Sequence, residues 1–180
     1  MLTDTKAAFG AISIVLHWAA AIAMAYLWFT APDDHGGRAV VSDVSDVTLG
    51  SGLAIVLIAR VVWRLSSVTP RALSANALLN ALASTVKVLL LLDILLIIGT
   101  GLFAAWFKGD PVSVFGGLTI PNPVGVHPDL AGPMHGLHAL STNLILPTLL
   151  VLHVAGAFKH LVWDRDATLA RMLWPRRQQA

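Results

Sequence analysis

Leu152-His153-Val154-Ala155-Gly156-Ala157-Phe158-Lys159-His160 closes the last long apolar run of this 180-residue chain. An imidazole within a hydrocarbon-compatible segment must find a partner, because an unpaired polar group there costs several kcal/mol. His153 therefore asks for a ligand. Its counterpart is His17, in Ile14-Val15-Leu16-His17-Trp18 near the start of the first long apolar run. If the first run enters the membrane at the face where the last one leaves it, both rings lie about five to seven residues from that face, at equal depth for a rise of ~1.5 Å per residue. Two facing imidazoles at one depth can clamp a haem iron.

Composition sets the class. The chain is 56% hydrophobic and 12% charged, with a mean hydropathy of +0.74, too apolar for an ordinary soluble domain. The absence of cysteine excludes disulfides, thiolate-ligated clusters and covalent haem attachment, so a haem here is held by coordination alone. A pI near 9.4 could suggest nucleic acid. The basic residues instead fall at the ends of apolar runs, which is membrane anchoring, and no nucleic-acid partner is expected.

Four spans are predicted, at about 9–30, 47–65, 85–107 and 135–163. They make one domain over 1–180, an all-α integral-membrane four-helix bundle. The first run has the outline of a signal peptide, but its length and His17 favour a retained helix. Gly50 and Gly52 remove bulk near the outer end of the second span, suiting close approach by a helix or a flat ligand. Residues 66–82 read as a connection with a short interfacial helix, and 108–134 as a long irregular Gly- and Pro-rich loop. Pro147 should bend the fourth span or open its hydrogen-bond ladder. Asp93, inside the third span, calls for a hydrogen bond to another helix or a proton-handling or ligand-orienting role.

Orientation follows from charge. Lys6, Arg60, Arg64, Arg71, Lys87, Lys159, Arg165, Arg171, Arg176 and Arg177 collect on one side, leaving Arg38 and Lys108 for the other. The positive-inside rule places both termini in the cytoplasm. His17 and His153 then occupy the inner half of the membrane, and His35, His127, His135 and His138 its outer face. His135 or His138 lies on the order of 22–27 Å along the axis from His153, a span suited to two stacked haems; an exposed histidine near the headgroups is the plainer reading. His160 is expected to be solvated at the cytoplasmic surface. Arg60 and Arg64 either snorkel to headgroups or pair with cofactor carboxylates.

Four spans, His17-Trp18, the Arg60-Val61-Val62-Trp63-Arg64 end of the second span, the loop from Phe115 to Pro121, and His153 to His160 leading into Trp163-Asp164-Arg165-Asp166 resemble the bacterial cytochrome b-561 family over nearly the whole chain. The resemblance implies an electron carrier with non-covalent haem b, and places the inner axial ligands on His17 and His153. The outer haem of such proteins is held by a histidine on the second helix and one on the fourth. Counting back from Arg60 and Gly50, Asp46 stands at the second-helix position, opposite His138, or His135 if the helix is differently wound. Aspartate is a poor substitute for imidazole on low-spin haem iron. Lys87 stands where many relatives have a third-helix histidine. One haem is expected, with a second left open.

The expected function is membrane electron transfer between haem b and quinone, with Arg60, Arg64 and Lys87 as candidate partners of the haem propionates. Alternatives are a superoxide-oxidising quinone reductase, an accessory cytochrome subunit, and a cofactor-free scaffold or transporter. A further alternative is an outer metal site from His35, His127, His135, His138 and the loop aspartates. The expected location is the bacterial inner membrane, with lipid, quinone and a redox partner protein as partners and a homodimer as a further arrangement.

Overall fold

The computed structural model describes residues 1–30, 43–73, 76–114 and 117–174, with the side chains of 30 and 43–49 left aside. His35 and the loop around it, Phe115-Gly116, Arg176, Arg177 and the Asp46 side chain lie outside the described residues.

The chain is mostly helical. Helix α1 spans Ala11–Thr30, α2 Asp43–Ser66 and α3 Ala77–Lys108. A short antiparallel hairpin follows, β1 (Val112–Val114) on β2 (Leu118–Ile120), with Val112 opposite Ile120. The last long helical unit runs as α4 (Pro128–Leu140), a π-helical turn (Ser141–Ile145), α5 (Leu146–Lys159) and a second π-helical turn (His160–Asp164). A single turn, α6 (Ala170–Leu173), ends the described chain. Among the described residues, Ala11–Phe29, Ala77–Lys108 and Pro128–Asp164 are long and apolar enough to cross a membrane. Large apolar side chains such as Val15, Ile22, Ile55, Val62, Val151 and Leu152 are exposed along these helices, the pattern of a multi-pass protein whose outer surface meets lipid.

Three boundaries differ from the sequence expectation. Helix α3 begins at Ala77 and not near residue 85, because the Asn76 side chain accepts the Leu79 N–H at 3.1 Å and caps it. The polar stretch read as a connection is therefore partly the first turns of α3. The last unit begins at Pro128 and not near His135, since a proline at the first helical position forfeits no hydrogen bond. Residues 108–134 are more ordered than a loose loop. Gly109 ends α3 at φ 89, a left-handed conformation that a side chain would strain, and the hairpin then tucks Val112 against Ala105 and Trp106. Pro147 has the expected effect on the ladder, as the π-helical turn immediately precedes its helix.

Successive helices pack on one another: α1 on α2, α2 on α3, and α3 on both α4 and α5. Ala20, Leu57, Val61 and Ile94 form the core where α1, α2 and α3 meet, with Met24, Leu91 and Ile98 around it.

Candidate functional site

His17 lies one turn before Ala20 on α1, and so enters the bundle just below that core. His153 reaches the same place from α5. Their ring centroids are 6.1 Å apart with planes inclined at 62°. With a metal–nitrogen bond of about 2 Å, two imidazoles on opposite sides of one iron have centroids roughly 6 Å apart. The pair fits that requirement. Neither ring has a hydrogen-bond partner among the described residues, so each keeps a nitrogen for a metal. Trp18 stands edge-on to His17 at 5.5 Å, and its indole N–H donates to the Met172 carbonyl at 2.8 Å, tying the C-terminal segment to α1.

Cations surround the pair. Arg60 acts electrostatically on both His17 and His153, Lys87 on His153, and Arg64 on both Arg60 and Lys87. None of the three forms an ion pair among the described residues. One Arg64 terminal nitrogen meets Thr69 Oγ1, while its other, Nη1, is buried without a partner. A cluster of like charges with an orphaned guanidinium nitrogen is suited to an anion, and the carboxylates of a haem meet that need.

The outer histidines are arranged differently. His138 Nδ1 meets the Ile97 carbonyl at 3.0 Å and lies 3.4 Å from Thr100 Oγ1. Its ring rests on Gly101, where a Cβ would stand 3.0 Å from Cε1. The contact leaves Nε2 available. His135 is exposed and His127 holds a turn through the Val124 carbonyl at 3.0 Å. Among the described residues, the one grouping of three or more metal-competent side chains is His160, Asp164 and Asp166, and it includes none of His127, His135 and His138; His35 lies outside the described residues.

Several polar groups were misread or missed in the sequence. His160 is half-buried and paired instead of simply solvated: Nδ1 lies 2.7 Å from Asp166 Oδ2 and 3.1 Å from Asp164 Oδ2, with Lys159 Nζ also on Asp164. Partial burial pushes the Asp166 carboxyl up, but the hydroxyl and N–H of Thr168, with His160, outweigh it and hold it below the ordinary range. Asp93 makes the expected interhelical bond, accepting from Ser141 Oγ at 2.6 Å. Asp4, Ser13 and Trp63 form a hydrogen-bonded chain, buried at its first two members, that no motif signalled.

The sequence model of the family described as prokaryotic cytochrome b561 matches residues 8–175. The chain is also 32% identical over 181 aligned residues to cytochrome b561 homolog 2 of Escherichia coli (strain K12), covering 95% of this chain and 94% of that protein. It belongs to the prokaryotic cytochrome b561 family, and with it to the membrane proteins that bind haem b and transfer electrons.

Proposed function

We propose that this chain is a one-haem electron carrier of the bacterial inner membrane, a four-helix bundle with both termini cytoplasmic, in which His17 and His153 are the axial ligands and electrons are exchanged with a quinone. The observation that carries this reading is the 6.1 Å separation of the two imidazoles, contributed by the first and last long helices. When bound, the haem supplies a one-electron centre that alternates between ferric and ferrous iron. The protein's part is to hold two neutral imidazoles in place and to surround them with apolar side chains. Arg60, Arg64 and Lys87 are the residues that would hold the haem's carboxylates, and their positive charge would favour the reduced state.

A single haem is supported by the outer ligand set, in which the family resemblance puts Asp46 where an imidazole would stand opposite His138. The test is haem content per mole of purified protein, by pyridine haemochrome, in wild type and in His17→Ala, His153→Ala and His138→Ala. The expected result is one haem b in wild type, its loss in the first two variants and its retention in the third. A wild type without a Soret band would leave a cofactor-free membrane protein.

A further inference from the structure

The N-terminal segment folds back on α1. Ala11 N–H donates to the Met1 carbonyl and Ile12 N–H to the Leu2 carbonyl, at 3.1 and 3.2 Å. Gly10 permits this, because a Cβ there would stand 2.3 Å from the Leu2 oxygen. The turn delivers Asp4 to the foot of α1, buried at 9% exposure. Its Oδ1 accepts the Gly10 N–H at 2.7 Å and its Oδ2 accepts the Ser13 hydroxyl at 2.6 Å. Ser13 is 1% exposed and its oxygen accepts the Trp63 indole N–H at 2.8 Å.

This chain has a direction. A serine hydroxyl has one proton to give, and Asp4 takes it, so the oxygen is left as an acceptor toward α2. The latch also has a register. Ser13 stands near the start of α1 and Trp63 near the end of α2, so the two helices run antiparallel. One turn outward from Ser13 is His17; about one turn outward from Trp63 is Arg60. Closing Ser13 on Trp63 therefore sets Arg60 level with His17.

We propose that Ser13 is a positioning residue for the haem ligand His17: with its hydroxyl aimed by Asp4, it latches Trp63 and fixes the α1–α2 register that holds the Arg60 guanidinium level with His17. The inference rests on His17 being an axial ligand. The latch acts through Arg60 and touches neither haem nor substrate.

The experiment is a redox titration of the purified, haem-loaded full chain as wild type, Trp63→Phe, Ser13→Ala and their double variant, with the ferric low-spin EPR signal recorded for each. Both single changes leave the net charge unaltered, so a shift in potential reports the displacement of neighbouring charge, Arg60 and the Asp4 carboxylate that acts on it. Each single variant is expected to move the ferric–ferrous ratio at fixed potential toward ferric by about twofold, the low end of couplings within one hydrogen-bonded network. The double variant should move it no further. In an Asp4→Ala background, Trp63→Phe should have no additional effect. Haem-loaded Trp63→Phe with the wild-type potential and EPR signal would overturn the inference, as would fully additive effects of the two single changes. A wild type that binds no haem would overturn the proposed function as well, so the two failures are distinguishable.

Discussion

The imidazoles of His17 and His153, from the first and last long helices, lie with their centroids 6.1 Å apart and their planes at 62°. No hydrogen bond to a described residue occupies either ring, which suits the pair to the ligand role proposed for it. The charged side chains that act on the two rings are cations, Arg60 on both and Lys87 on His153, with the Asp4 carboxylate acting in turn on Arg60.

Neutralising those cations should lower the haem potential. Oxidation adds a positive charge to the iron, so removing a nearby cation favours the ferric form. Arg64→Gln, Arg60→Gln and Lys87→Gln should each shift the redox equilibrium toward ferric by about 0.5–1 kcal/mol, the range of partly solvated ion pairs. Lys87, being exposed, should have the smallest effect. Spectroelectrochemical titration checks the order, and an unchanged potential in all three would remove them from the propionate site.

Asp93 and Ser141 join α3 to the last helical unit at a point where both are buried. Asp93 Oδ2 already lacks a partner. Ser141→Ala leaves the carboxyl with no side-chain hydrogen bond and should destabilise the folded protein by about 1–3 kcal/mol. Asp93→Asn, which keeps an acceptor oxygen for Ser141, should cost less. Thermal unfolding in detergent measures both, and equal losses would argue that shape and not hydrogen bonding matters there.

Asp166 makes the C-terminal segment pH-dependent. Its carboxyl lies below the ordinary value of 3.8, so the unfolded segment binds the proton more readily than the folded one. The stabilisation is fully present above about pH 5 and is lost as the pH falls through the ordinary value and then the lower folded one. Limited proteolysis across residues 160–174 should accelerate below pH 4 in wild type. Asp166→Asn should show faster cleavage at neutral pH and a flatter acid response.

Restoring an imidazole at position 46 tests why a single haem is proposed. His138 Nδ1 is engaged by the Ile97 carbonyl, the kind of contact that fixes a metal-binding histidine and leaves Nε2 for the iron. Asp46→His should raise haem content from one toward two per chain, and Asp46→His combined with His138→Ala should return it to one. Haem content that stays at one in Asp46→His would locate the loss of the second site elsewhere than in its ligand.

The apolar runs could be read from the sequence because each must satisfy its backbone hydrogen bonds internally and shed water along its whole length. The helix starts were less legible. The cap at Asn76 and the start at Pro128 lie in stretches whose polarity masks the helix, and only the cap contacts disclose it. Asp93 announced a partner without naming it, since an intramembrane carboxyl can be satisfied by any neighbouring helix.

The sequence by itself determined the solvent this protein lives in, the absence of covalent haem attachment, and the pairing of His17 with His153 by depth, all of which follow from composition and from position along a helix. Only the tertiary structure decided what lies beside that pair: the convergence of Arg60, Arg64 and Lys87, the packing of His138 onto Gly101, and the latch from Asp4 through Ser13 to Trp63. Depth is a property of one helix and is written in its sequence. Proximity is a property of how helices rotate and slide against one another, and that is fixed by side-chain packing across several segments at once.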